Sequence, residues 1–225
     1  MGDEPADHEG PHADVNAKLV RTKEQWAKAG RALTGTISDP ARDRRTPGQR
    51  VTQDFPVLDL GIQPNLSQRE WTLTVAGQVT HPLKWDWAAL MSQTQGSYLN
   101  DIHCVTTWSR YDNTWVGVPI RVLLAAVKPL PSAKYLMVKS YDGYSTNLPL
   151  ADVDRDDVFI AHSWQGKPLD REHGGPVRLV VPHPYFWKNA KWIRHITFMD
   201  KDQPGYWEAR GYHMRGNPWD EERYG

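Results

Sequence analysis

Apolar and polar residues alternate with a period of two where Trp71, Leu73 and Val75 interleave with Thr72 and Thr74. Such a run places one set of side chains on each face of a strand. Alternation returns over residues 134–140, and residues 177–181 and 192–199 also read as strands, the former stopped by Pro182, which has no amide hydrogen to give to a ladder. Residues 86–91 predict a short helix. Pro119 followed by a compact apolar face to Val127 predicts another, with the proline at the first turn. Residues 152–157 predict a further helix or a loop. Upstream, residues 17–34 carry a weak helical pattern, with Leu19, Trp26 and Leu33 on scattered turns. Residues 1–16 are polar and read as a mobile tail, and residues 35–54, rich in Arg, Asp, Pro and Gly, read as an extended segment wrapping the surface. Residues 200–225 read mainly as loop.

The pattern therefore divides the chain into a tail and wrapping segment, 1–54, and one folded domain, 55–225. The expected class is α+β: a strand-rich mixed sheet, barrel-like, with short helices and long loops. It lacks the regular strand–helix alternation of a doubly wound sheet. No Gly-x-Gly-x-x-Gly and no P-loop occurs, which counts against nicotinamide or nucleotide chemistry.

Charge narrows the classes further. Lys plus Arg and Asp plus Glu both number 27, so the net charge is zero. This argues against a partner held by phosphate neutralisation, whether nucleic acid or an anionic membrane surface. No apolar run is long enough to span a bilayer. The start, Met1-Gly2-Asp3-Glu4-Pro5, shows neither a basic-then-apolar export signal nor a twin-arginine pair. Arg44-Arg45 lies deep, with no apolar run behind it. The expectation is a cytoplasmic protein, and a chain with one Cys, which cannot close an internal disulfide, fits a reducing compartment.

Three clusters carry candidate chemistry. Cys104 is the one sulfhydryl among 225 residues, so special chemistry there is that of a single thiolate, as nucleophile or as ligand to a soft metal. By itself such a residue is a small buried hydrophobe. His103 cannot serve it as base on an extended strand, because neighbours point to opposite faces. No Cys-hydrolase motif surrounds it, although His162, His173, His183 and His195 occur elsewhere. The second cluster, His173-Gly174-Gly175-Pro176-Val177-Arg178, sets an Arg within an apolar strand after two glycines. Alternation permits a solvent-facing Arg, but a buried one needs an anion or several acceptors. The third, Tyr185-Phe186-Trp187-Lys188-Asn189-Ala190-Lys191-Trp192, interleaves basic groups with aromatics. It reads either as a surface loop with lysines over packed rings or as a site for a phosphorylated heterocycle. Eleven Trp in this length serve an aromatic core as readily as a ligand site.

Taken in order, Cys104-Val105-Thr106-Thr107-Trp108-Ser109, Trp115-Val116-Gly117-Val118-Pro119, the run from His173 to Pro182, and Trp187-Lys188-Asn189-Ala190-Lys191-Trp192 resemble the molybdopterin-binding domain of the sulfite oxidase family. The resemblance is strongest to the short prokaryotic branch containing the catalytic subunit of the methionine-sulfoxide reductase system, and it covers roughly residues 55–224. It implies that Cys104 gives its thiolate to the metal. It also implies that Phe55, Leu58, Asp59, Ser140, His173, Arg178, Asn189, Ala190 and Lys191 contact a single pterin. Leu58 and Asp59 depart from relatives, which carry Arg-Asn or Tyr-Glu there, so contacts from Phe55, Leu58 and Asp59 are expected through backbone. Trp108, Arg110, Tyr141 and Tyr206 are candidates for the substrate pocket. Sulfite oxidases proper bind their dianion with several arginines, whereas here the stretch directly after Cys104 offers only Arg110, without clean alignment.

The function implied is a molybdopterin-dependent oxidoreductase performing two-electron oxygen-atom transfer on a small S-oxide, N-oxide or sulfite-like molecule. Molybdenum and tungsten are equally compatible with the motifs. No haem domain and no C-terminal dimerisation domain is expected, so a separate electron donor or acceptor protein is implied. The alternatives are a non-catalytic molybdopterin carrier and a Trp-rich ligand-binding domain in which Cys104 only packs.

Overall fold

The computed structural model describes residue 21 and residues 44–225. The tail and weak helix expected over 1–34 lie outside the described residues apart from Arg21. Among the described residues 44–225, eleven strands and three short α-helices follow one another: β1 (Arg50–Val51), β2 (Thr72–Gly77), β3 (Leu83–Asp86), α1 (Trp87–Met91), β4 (Gly96–Cys104), β5 (Trp108–Pro119), α2 (Ile120–Val127), β6 (Tyr135–Ser140), β7 (Ser145–Pro149), α3 (Leu150–Val153), β8 (Phe159–Trp164), β9 (Lys167–Pro168), β10 (Arg178–Val180) and β11 (Ile193–Met199).

They form two mixed sheets. The first runs β3-β2-β11-β6-β7, with β11 parallel to β2 and the other pairs antiparallel. The second follows β1-β5-β8-β10, with β4 added to β5 and β9 to β8. Its one parallel pair sets Arg50 and Val51 beside Trp108 and Ser109. The strand-rich α+β expectation holds. Neither sheet closes, so the architecture is not a closed barrel.

Local chemistry explains the elements. Trp71, Leu73 and Val75 are fully buried, as their alternation requires. The Asp86 carboxylate accepts the Ala89 amide at 2.8 Å and so caps α1. Ile120, Leu123, Leu124 and Val127 form the buried stripe of α2, which Lys128 ends with φ of 49°. α3 begins two residues before the expected stretch. The strand expected over 177–181 is three residues long. The Leu179 and Val181 amides donate to Asn189-Ala190, not to another strand, at 2.9 Å to the Ala190 carbonyl and 2.5 Å to Asn189 Oδ1. β4, β5 and β8 mix polar, aromatic and apolar residues without clean alternation. Gly117, within β5, is required by close approach, since a Cβ would lie 2.3 Å from the Ile160 carbonyl oxygen of β8.

The six-stranded sheet is covered on both faces. Val118, Ile160, Val177, Leu179 and Val181 join the core of the five-stranded sheet, which is mostly aliphatic. Phe159, Ala161 and Val180 turn the other way, into a second cluster rich in rings: Trp108, Trp115, Tyr185, Trp187, Trp207 and Tyr212. Residues 44–54 reach this second region. Thr46 and Gln49 are buried, and Arg44 forks onto Asp101 at 2.6 and 2.9 Å and also meets Asp112 at 2.8 Å. Among the described residues no helix is long and apolar enough to cross a membrane.

Candidate functional site

Cys104 is the last residue of β4. The chain turns directly after it, with the Thr107 amide donating to the Cys104 carbonyl at 3.0 Å and Thr107 at φ 72°, and β5 starts at Trp108. The turn presents Cys104 Sγ to a cavity, 3.2 Å from Thr106 Oγ1. His103 points away, as adjacency on a strand demands: its Nδ1 lies 2.8 Å from Ser109 Oγ, and burial pushes its pKa down to about 4.

The same cavity carries a cationic wall. Arg178 is 1 % exposed, which disposes of the solvent-facing alternative: β10 has no solvent face. Its Nη1 donates to the His173 carbonyl at 2.8 Å and its Nη2 to the Asn189 carbonyl at 3.0 Å, with the guanidinium over the Phe186 ring at 4.4 Å. Gly174, at φ 104°, lets the preceding loop lie on the stems of both cations. A Cβ there would meet Lys191 Cβ at 3.0 Å and Arg178 Cβ at 3.1 Å. His173 stacks flat on Phe55, ring centroids 4.0 Å apart. Lys191 Nζ donates to the Glu172 carbonyl at 2.8 Å and stands 3.6 Å from Asp59.

Crowded positive charge shows in the protonation of these groups. Burial, and then Arg178 and Lys191, push His173 down to about 4, so it is neutral near pH 7. Burial, then Arg178, lowers Lys191 to about 8 against the pull of Asp59 and Asp142. Burial alone brings Arg178 to about 9. An anion entering here would relieve all three. The buried donors say the same: among the described residues, Arg178 Nε, Asn189 Nδ2 and Trp108 Nε1 have no hydrogen-bond partner, and all three residues line the cavity.

Phe55, Leu58, Asp59, Cys104, His173, Arg178, Asn189, Lys191 and Trp108 are thus brought to one cavity. Asp59 engages through its side chain, accepting from the Gly61 amide at 2.8 Å and Gln63 Nε2 at 2.9 Å as well as facing Lys191. The remaining expected residues do not line it. Ala190 is buried in the aliphatic core, and Ser140 ends β6 with its amide on the Tyr144 carbonyl at 2.9 Å. Arg110 is spent on Asn113, on the Gln53 carbonyl at 3.1 Å and on the Trp164 ring at 4.7 Å. Tyr141 exchanges hydrogen bonds with the Thr72 backbone, both at 3.0 Å. Tyr206 packs on Tyr144, Trp207 and Arg210. Beside Phe55 and Trp108, the pocket aromatics are Tyr144, Phe186, Trp187, Trp207 and Tyr212, with Asp142 next to them in the lining. These come from turns and short 3-10 helices, where no periodicity marks a facing side. Of these, Phe186 and Trp187 stood in the basic-aromatic cluster of the sequence.

The donor set fits a ligand with an anionic, acceptor-rich arm and a metal that takes one protein sulfur. Among the described residues no three His, Cys, Asp or Glu gather closely enough to hold a metal by themselves. Comparison with known proteins leads to the same group. The family described as oxidoreductase molybdopterin binding domain matches residues 60–207. The oxidoreductase YuiH of Bacillus subtilis is 42% identical over 182 residues, covering 80% of this chain and 92% of that protein. The protein-methionine-sulfoxide reductase catalytic subunit MsrP of Ralstonia nicotianae is 29% identical over 174 residues, covering 68% of this chain; the chain spans 52% of that relative's length. Among solved structures, the sulfane dehydrogenase SoxCD of Paracoccus pantotrophus matches with a TM-score of 0.57 at 26% identity, over 62% of this chain and 40% of that one. With two-thirds of its length matched by the family, this chain belongs to the molybdopterin-binding oxidoreductases and is an enzyme of the sulfite oxidase type.

Proposed function

We propose that the enzyme carries out two-electron oxygen-atom transfer on a small S-oxide, N-oxide or sulfite-like substrate, exchanging electrons with a separate protein. One observation carries this reading: Cys104 and the Arg178–Lys191–His173 cluster line a single cavity whose buried donors lack acceptors. Arg178, Asn189 and Lys191 would hold the phosphate and polar edge of the pterin, and Cys104 would hold the molybdenum. When bound, that group supplies the two-electron exchange and the position where substrate oxygen is gained or lost.

The chain's own residues do the rest. Lys191 can leave Asp59 for a phosphate, because 3.6 Å is a loose pairing. Neutral His173, stacked on Phe55, gives a flat wall without adding a further charge. Trp187 and Trp207 each pack on Tyr212 at a centroid distance of 5.0 Å, and the three rings would shield the Cys104 side from water. Burial raises the phenols of Tyr144 and Tyr212, so both keep their protons at neutral pH; Tyr144 already donates its own to the Trp187 carbonyl at 2.5 Å. The separate electron carrier is supported by MsrP, which is named a catalytic subunit.

The test is molybdenum and pterin analysis of protein made in a cofactor-competent host, followed by viologen-coupled turnover with S-oxides, N-oxides and sulfite. Stoichiometric molybdenum and turnover of at least one of these substrates are expected. Absence of the metal, or a loaded protein inert toward the whole panel, would refute the proposal.

A further inference from the structure

The turn that carries Cys104 is gripped by residues from outside the matched span. Gln49 precedes residues 60–207 and Arg223 follows them. Gln49 Nε2 donates to the Cys104 carbonyl at 3.0 Å, beside the Thr107 amide on the same oxygen. Arg223 Nη1 donates to the next carbonyl, Val105, at 2.7 Å, and its Nη2 reaches the Pro47 carbonyl at 3.3 Å. The Arg50 amide takes the Thr107 carbonyl at 3.0 Å. One guanidinium therefore ties the Cys104 turn to the segment that carries Gln49. Both side chains are buried, Arg223 at 2 % exposure and Gln49 at 7 %, and Arg223 lies over the Tyr185 ring at 4.9 Å.

The turn needs such restraint. Thr107 is β-branched and sits at φ 72°, a region its side chain disfavours, so the peptide units around it relax unless the surroundings hold them. Holding the carbonyls of residues 104 and 105 fixes the plane of the peptide directly after Cys104, and with it the direction in which Sγ enters the cavity.

We infer that Gln49 and Arg223 are positioning residues for the Cys104 thiol, so that two segments flanking the family domain complete its metal-binding turn. The inference rests on Cys104 being the molybdenum ligand. The clamp itself is measurable without metal. Arg223 contributes more than Gln49, because a charged donor makes the stronger hydrogen bond.

The experiment uses the full chain in metal-free form and reads two rates: hydrogen exchange of the Thr107 amide, and alkylation of Cys104 by iodoacetamide. Arg223→Met should speed both by roughly ten-fold or more, in keeping with the loss of a buried charged hydrogen bond. Gln49→Leu should speed both by less, and Arg223→Lys should fall between wild type and Arg223→Met. Leu136→Ala, in the five-stranded sheet, controls for general destabilisation and should leave the two rates near wild type. After loading, Arg223→Met should also alter the electron paramagnetic resonance signal of the partly reduced metal. Unchanged rates in Arg223→Met and Gln49→Leu, or equal acceleration in Leu136→Ala, overturn the inference. If Arg223→Met does not fold, Gln49→Leu against Leu136→Ala decides it. A loaded Cys104→Ser protein whose metal keeps the wild-type number of sulfur neighbours would defeat the ligand reading while leaving the clamp measurements intact, so the two failures are distinguishable.

Discussion

The two faces of the six-stranded sheet are built from different chemistry, and neighbouring residues of one strand show it. On β10, Leu179 enters the aliphatic core shared with the five-stranded sheet, while Arg178 enters the ring-rich side. Aliphatic side chains fill space from any direction and leave few voids. Rings meet edge to face or offset, and their N–H and O–H groups need partners. Phe55 shows the consequence, meeting Trp108, Trp115, Trp164 and Phe186 at tilted or edge-on angles and only His173 flat. One face is a frame and the other is a cavity, so stability and function should separate across a single layer of backbone.

Cys104→Ala is the most damaging change for turnover and among the mildest for the frame. Viologen-coupled activity should fall to background, while chemical denaturation should detect a loss of about 1 kcal/mol, as for a small buried side chain. Arg178→Met comes next. It removes the fork from the His173 and Asn189 carbonyls, and molybdenum per folded chain should fall by more than about ten-fold, since each charged hydrogen bond contributes about 1.5–3 kcal/mol. Arg178→Lys should not restore the metal, because a point charge cannot span both carbonyls. Leu179→Ala, one residue along, should do the reverse. Stability should drop by about 2–5 kcal/mol, yet the folded fraction should retain its metal. If Leu179→Ala empties the site as fully as Arg178→Met, the separation of the faces is wrong.

The smallest effect is a pH dependence. Lys191 titrates near 8 and Arg178 near 9 in the cavity, whereas a bound anion would keep both protonated. Binding then takes up protons as pH passes 8, so affinity must fall as pH rises. For inorganic phosphate titrated calorimetrically into the metal-free protein, weakening between pH 7 and 9 is expected, by up to about ten-fold per unit for each linked proton. Lys191→Met should bind more weakly at pH 7 and show a flatter profile.

How much of this was legible in the chain follows the same division. β2, β6, β11, α1 and α2 were readable because each sends apolar side chains into the core of the five-stranded sheet, and Trp71-Thr72-Leu73-Thr74-Val75 states that face directly. β4, β5 and β8 were not. Their residues serve aliphatic packing, ring packing and buried polar contacts at once, as when Asn113 accepts from Arg110 and Trp164 and donates to the Asn100 and Arg110 carbonyls. At the site, motif order identified Cys104, His173, Arg178, Asn189 and Lys191 as candidates, and the fold brings all five to one cavity. Sequence order could not show that Arg110 would be consumed by Asn113 and Trp164, or that Tyr144, Trp207 and Tyr212 would arrive from distant turns. Gln49 and Arg223 gave no signal, because their partners are backbone carbonyls that carry no sequence mark.

The central claim is that the Cys104 thiolate is bound to molybdenum at one end of the cavity. X-ray absorption at the molybdenum edge, comparing loaded wild type with loaded Cys104→Ser, tests it most directly. The account predicts one sulfur neighbour fewer around the metal in the variant, with the pterin still retained by the cationic wall. An unchanged sulfur count in a fully loaded Cys104→Ser protein would contradict it.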